Sequence, residues 1–218
     1  MTSLKGMPVW WNNVSALGPC LMAANGHSDI DQTAIIDEGA VLDASGGPIV
    51  IGAGTQVCAG AIIRGPVTIG ADCLIGNNVM IRGPALIGGH VRIGYTTEIK
   101  QAIIGDRVSI GPLCFVSDSV VDDDAYLGAL VRTSNQRLDR QPVSVRSDDG
   151  EIATGMEKLG CWIGARASLG IQVIVLPGRV IAPDSLFEPR ITISRNFPSG
   201  HFRVRQEIEQ VREEAFPC

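Results

Sequence analysis

The amino-acid sequence predicts an all-β chain, a parallel β-helix of six-residue repeats carrying a hairpin excursion and a C-terminal α-helix. Two observations carry this. Ile51, Val57, Ile63, Ile69, Ile75, Ile81, Ile87, Ile93 and Ile99 recur at a strict interval of six residues. A helix of about 3.6 residues per turn would scatter these positions around its axis. Glycine follows the aliphatic residue at Gly52, Gly70, Gly76, Gly88 and Gly94, as suits a corner that needs positive φ or room for a neighbour. Each six-residue unit is then a short strand plus a corner, and three units close one triangular coil. Stacked coils sit about 4.8 Å apart with β-branched residues in the shaft.

The repeat opens at Ile30, Ile36 and Leu42, pauses at Gly46-Gly47-Pro48 and resumes at Ile51. Past Ile99 the step shortens to five at Ile104 and again at Val121, and such irregularities are where loops and function tend to gather. Residues 1–27 lie outside the repeat. Pro19 divides an apolar stretch there, which predicts two short pieces capping the open first coil, with Trp10 and Trp11 as packing residues. Residues 28–198 form the β-helix, interrupted over 129–161. There Val143-Ser-Val-Arg, the Asp148-Asp149-Gly150 turn and Glu151-Ile-Ala-Thr spell a β-hairpin standing off the body. Ile163, Leu169, Val175, Ile181, Phe187 and Ile193 restore the repeat. Over 199–218, Val204, Ile208, Val211 and Ala215 fall at helical spacing and predict an amphipathic helix.

Composition narrows the function. With 218 residues, 45% of them apolar, and few aromatics, the chain has the narrow aliphatic core of a solenoid. A net charge of −5 and a pI near 5.2 argue against nucleic acid or an anionic membrane as partner. The six cysteines form no C-x-x-C pair, against a zinc site or disulfide framework. Widely spaced cysteines point to reduced thiols in the cytoplasm, and no apolar run is long enough to span a bilayer.

Phosphate-loop, zinc-protease and nucleophile-elbow motifs are absent. The residues that draw notice are Arg82, Glu98 and Lys100 near the irregular coils, with Asn135 and Lys158 bounding the excursion. They offer cations for a phosphate and a carboxylate for an amine. Cys114 shares the inward parity of Val116 and predicts an inert core thiol.

Several stretches resemble a known family. Ala61-Ile-Ile-Arg-Gly-Pro-Val-Thr-Ile-Gly, Met80-Ile-Arg-Gly-Pro, Thr97-Glu-Ile-Lys, Phe115-Val-Ser-Asp-Ser, Thr133-Ser-Asn-Gln-Arg-Leu-Asp and Lys158-Leu-Gly are similar to the acetyltransferase half of bifunctional sugar-1-phosphate nucleotidyltransferase/acetyltransferases. The match runs over roughly residues 30–198 and is nearest the archaeal-type glucosamine-1-phosphate acetyltransferase/uridyltransferases. The resemblance implies a left-handed β-helix and a homotrimer with sites between subunits. It implies acetyl-CoA, or another acyl-CoA, as co-substrate, a sugar phosphate as acceptor, and no metal for acyl transfer. Arg82 and Lys100 would hold the phosphate, Glu98 and Asn135 would line the sugar site, and Lys158 would lie at the phosphate or CoA entrance.

Three departures stand out. The family's nucleotidyltransferase domain has no counterpart in these residues, so uridyl transfer is not expected. The family's Gly-His-Leu-x-Tyr reads Gly111-Pro112-Leu113-Cys114-Phe115, which puts Pro112 where the general base stands and Phe115 where its tyrosine partner stands. The family's Gly-Ala-Gly-Thr corner reads Gly128-Ala-Leu-Val. His90 and Asp118 remain as substitute bases, while His27 and His201 fall at the two ends of the ribbon. Two readings stay open: an acyl-CoA transferase with an altered base or acceptor, and a non-catalytic sugar-phosphate-binding or scaffold module for a separate nucleotidyltransferase.

Overall fold

The computed structural model describes residues 10–24, 26–147 and 150–205. It is a three-sided parallel β-helix whose coils occupy residues 29–43, 49–64, 67–82, 85–100, 102–117, 120–133, 162–175 and 180–193, called coils 1 to 8. Each coil crosses face A, then B, then C. Face B is a separate 9-stranded parallel sheet, whereas faces A and C are joined because Met80–Ile87 and Glu98–Ile104 turn the C-to-A corner as unbroken strands.

The predicted isoleucines point inward. Ile51, Ile63, Ile69, Ile75, Ile81, Ile87, Ile93 and Ile99 are each at most 1% exposed and stack rung on rung. Identical neighbours above and below let each β-branched side chain repeat one rotamer down the shaft. The glycines after them are not the left-handed corners; that conformation falls two residues later, at Asp72, Asn78, His90 and Thr96 with φ between 53 and 57°. Gly70 and Gly94 are required by close approach. A Cβ on Gly70 would lie 2.6 Å from the Gly88 carbonyl carbon, and one on Gly94 would lie 2.6 Å from Pro112 N.

Four further expectations need correction. Residues Trp10–Ala24 form one helix, α1, with Pro19 inside it. Trp10, Val14, Leu17 and Leu21 are buried at helical spacing, and that packing carries the helix past the proline, whose missing N–H would otherwise break it. Nor does α1 cap coil 1. At about 1.5 Å per residue it is about 22 Å long, and it runs down the C-to-A corner. Trp10 and Trp11 cluster with Val120, Val180, Val143 and Val145 at its start, Gly18 faces Pro84, and Met22 lies against Gly47 at its end.

The repeat also does not stop at Ala129. Coil 6 closes through Arg132–Thr133, with the fully buried Thr133 at the inward position. Its hydroxyl accepts from Ser117 N at 2.9 Å, so a polar residue fills an aliphatic slot and hides the rung from a hydrophobic pattern. The excursion therefore leaves after Thr133.

Its hairpin is as expected, Ser144–Ser147 antiparallel to Gly150–Ala153, but it does not stand off the body. Val143 and Val145 are buried on face A with Trp10, and Asn196 ties the hairpin down by donating to Arg146 O at 2.9 Å while accepting from Val180 N. At the far end of the shaft Phe187 stacks on Phe202 at 4.6 Å, with Phe197 5.8 Å from Phe187, and these rings fill the last coil. Most of the predicted C-terminal helix lies outside the described residues; within 199–205 the chain forms a further strand, His201–Phe202, on face B.

Replacing Ile81, which has no exposed surface, by alanine is expected to lower unfolding free energy by about 2–5 kcal/mol, read from a denaturant titration. A loss below about 1 kcal/mol would show that the shaft collapses around the gap.

Candidate functional site

Parallel register lines up the outward residues of face C. Arg64 pairs with Arg82, Arg82 with Lys100, and Lys100 with Ser117 on successive coils. Like charges on neighbouring strands repel, and each cation here has its own carboxylate. Arg64 Nε lies 3.7 Å from Asp43, Arg82 donates through Nε at 2.8 Å and through Nη2 to Glu98 Oε1, and Lys100 Nζ lies 3.4 Å from Asp118 Oδ2.

The last pair is the buried one: the Asp118 side chain is 2% exposed and that of Lys100 is 23% exposed. Asp118 turns the C-to-A corner at φ 50°, which aims its carboxylate back along face C. On Oδ2 it accepts from Ser117 Oγ at 2.5 Å and from Asn135 Nδ2 at 2.6 Å, in addition to Lys100. Asn135 Nδ2 also reaches Ser117 Oγ at 3.1 Å. A buried carboxylate of this kind needs donors within reach.

The excursion's neck holds Asn135 in place. Asn135 O accepts from Leu159 N at 2.9 Å, Gln136 bridges Lys158 in antiparallel fashion, and Gly160 N donates to Asp118 O at 2.8 Å. A Cβ on Gly160 would run into Ser117 O and Ser119 Oγ, which accounts for the glycine in Lys158-Leu-Gly. Of the sequence-nominated residues, Arg82, Glu98, Lys100, Asp118 and Asn135 meet at this edge of face C. Lys158 is exposed on the neck, outside the network.

His90 is elsewhere. It lies on the A-to-B corner with Nδ1 3.8 Å from Asp72, both side chains largely exposed. That corner carries a charge ladder that continues through the bidentate pairs Arg107 with Asp124 and Arg166 with Asp184. Within the protomer His90 is therefore a corner residue on an edge remote from Lys100. Pro112 is exposed on the B-to-C corner, and Phe115 is half-buried between Glu98 and Arg132 on face C. Arg132 caps that corner by donating to Leu113 O. Cys114 points inward with Sγ 3.1 Å from Gly128 O, and burial raises its thiol above the usual range; burial carries Cys161 up to about 12. The sequence reading missed Ser117, although it sits inside the motif Phe115-Val-Ser-Asp-Ser, and Arg64, although it stands 18 residues before Arg82 just as Arg82 stands 18 before Lys100.

A β-helix of six-residue repeats with a polar cluster at the neck of an excursion defines the hexapeptide-repeat class. The family model of the GMPPB C-terminal domain matches residues 45–156, more than half the chain, from coil 2 into the hairpin. An uncharacterized acetyltransferase, YaiX, of Escherichia coli strain 536 is 49% identical over 212 residues, covering 95% of this chain and 92% of its own length; the uncharacterized YaiX of strain K12 is 48% identical over the same span. The chain belongs to this hexapeptide-repeat acetyltransferase family. A bifunctional sugar-1-phosphate nucleotidylyltransferase/acetyltransferase of Sulfurisphaera tokodaii is 33% identical over 69 residues, 32% of this chain and 17% of that protein. Among solved structures, a hexapeptide transferase family protein of Anaplasma phagocytophilum overlays 86% of this chain and 81% of its own at 17% identity and a TM-score of 0.34. The fold assignment rests on the strand pairing above.

Asp118→Ala is expected to destabilise the fold by about 3 kcal/mol, because it strands a mostly buried ammonium, whereas Arg166→Ala on the exposed corner leaves the denaturation midpoint where it was; equal effects would contradict the burial difference. In native protein a maleimide should label Cys20 and spare Cys73, Cys114 and Cys161 until denaturant is added, as followed by peptide mass mapping.

Proposed function

We propose that the chain transfers an acyl group, acetyl in the first instance, from acyl-CoA to an amino group of a sugar phosphate or nucleotide-linked sugar, in the cytoplasm and as a homotrimer. The observation that carries this is the network of Lys100, Asp118, Ser117 and Asn135, a buried polar cluster whose cost in desolvation a purely structural face does not require. Arg82 and Lys100 would face the phosphate. A guanidinium fork and an ammonium on adjacent rungs suit its oxygens, and Glu98 and Asp118 hold both cations in register. Asn135 would meet a sugar hydroxyl from the neck, with Lys158 at the rim.

In the reaction the acceptor nitrogen bonds to the thioester carbonyl carbon, the C–S bond breaks, CoA leaves as thiol and the nitrogen loses one proton. A positioned base contributes about 10²- to 10⁴-fold, and Pro112 offers none. Asp118 Oδ2 already accepts three donors, so its role is to fix Lys100 and Asn135. The acceptor amine then has to enter neutral or lose its proton to water, and slow turnover follows. The engagement of Glu98 by Arg82 and of Asp118 by Lys100 favours a second reading, a sugar-phosphate-binding or scaffold module that works with a separate nucleotidyltransferase.

One assay separates the two: CoA release from acetyl-CoA, followed with a thiol reagent, in the presence of hexosamine phosphates. The transferase reading expects measurable turnover, a loss of about 10²-fold or more in Lys100→Ala, and a gain of about 10²-fold in Pro112→His. No CoA release with any aminosugar phosphate, together with no acyl-CoA binding by calorimetry, would leave the binding module standing.

A further inference from the structure

A second group of cations lies farther up the same C-to-A corner. Between the hairpin's first strand and the corner at Leu176 and Pro177 there is a cavity of about 160 Å³ whose polar lining is Arg137, Arg179, Ser144 and Ser194. At about 30 Å³ per water it has room for a tetrahedral anion and part of what carries it. Its floor is fixed. Gly178, at φ 71°, lies directly under Ser144 O and donates its N–H to Gly160 O at 2.6 Å, so the hairpin cannot settle closer.

Arg179 is the unusual member. It is half-buried, yet both of its hydrogen bonds go to neutral carbonyls, Nε to Pro177 O at 3.1 Å and Nη1 to Ser194 O at 3.2 Å, and among the described residues it enters no ion pair. The nearby carboxylates are engaged elsewhere: Asp139 takes Arg137 bidentately at 2.9 and 2.6 Å, and Glu151 accepts from Ser144 Oγ. Burial lowers the affinity of Arg179 for its proton, and the positive fields of Arg146 and Arg137 add to that against Glu151. A half-buried guanidinium with no ion-pair partner of its own is costly unless an anion joins it.

We propose that this cavity is a phosphoryl-binding site, with Arg179 and Arg137 as its cationic walls and the Ser144 and Ser194 region completing the hydrogen bonding. It is distinct from the acceptor cluster. Arg179 leads into coil 8 and Asp118 ends coil 5, two rungs away on the corner, which at about 4.8 Å per rung places the two roughly 10 Å apart. The occupant is either inorganic or sugar-borne phosphate, or the 3′-phosphate of coenzyme A.

The test is calorimetry on the full chain at constant ionic strength, with inorganic phosphate, coenzyme A and dephospho-coenzyme A as probes and chloride as the control. Wild-type protein should bind phosphate. Arg179→Gln and Arg137→Gln should each weaken it about tenfold or more, as expected for loss of a charged hydrogen-bond donor, while Arg166→Gln on the exposed A-to-B corner leaves it unchanged. A preference for coenzyme A over dephospho-coenzyme A that disappears in Arg179→Gln identifies the 3′-phosphate as occupant; equal binding of the two assigns the site to free or sugar-borne phosphate. Since Arg179 also holds two corner carbonyls, circular dichroism checks that its variant folds, and Arg137→Gln, which breaks no bond to that corner, decides if it does not. Absence of phosphate binding in wild type, or wild-type affinity in both Arg179→Gln and Arg137→Gln, would overturn the proposal. Wild-type affinity in those two variants with binding lost in Arg82→Gln would point to face C and leave the acceptor site standing.

Discussion

Parallel hydrogen bonding between successive coils is the constraint on which the rest of the structure depends. Once the first rungs pair in register, each residue stands over the one a full turn earlier, and any mismatch spreads along the stack. The inward isoleucines satisfy that constraint with one shape repeated. The outward positions inherit the same alignment whether or not they benefit from it, so Arg64, Arg82 and Lys100 form a column. Their carboxylate partners are the adaptation that makes the column tolerable.

The same alignment explains where polar chemistry can sit. A six-residue repeat leaves little slack: its corners turn on residues with positive φ, Asp118 among them, and the A-to-B corner carries exposed ion pairs such as Arg107 with Asp124. The C-to-A corner is the exception. There the chain bulges at Lys100, passes straight round at Met80–Ile87, and opens into the excursion after Thr133. Helix α1 and the hairpin cover the apolar outer surface of face A beside it. That corner is consequently the one with enough extra chain to bury Asp118 and to enclose the cavity at Arg179.

The aliphatic ladder, the hairpin and the inward parity of Cys114 were legible because each is a local periodicity, and periodicity survives in one dimension. Thr133 was not, since a buried threonine that accepts from a neighbouring N–H looks polar in any hydropathy pattern. The course of α1 was not, because Pro19 is a strong local signal against a helix and only contact of Trp10, Val14, Leu17 and Leu21 with face A outweighs it. Within the candidate site, Arg82, Glu98, Lys100 and Asn135 could be nominated by residue type and motif. Their pairing could not, nor could the part played by Ser117, because those depend on which atoms the corner at Asp118 turns toward one another.

By itself the sequence determined the β-helix: six-residue spacing of β-branched residues permits one stacking geometry, and glycine after five of the nine between Ile51 and Ile99 leaves room for the next coil's backbone. The tertiary structure decided what the helix carries on its surface. Separations of 16 to 18 residues along the chain became hydrogen bonds between Arg82 and Glu98 and between Lys100 and Asp118, and His90, near Lys100 in sequence, was placed on another edge of the prism. The physical reason is that a triangular coil sends neighbours in sequence to different faces and gathers onto one face residues a whole turn apart.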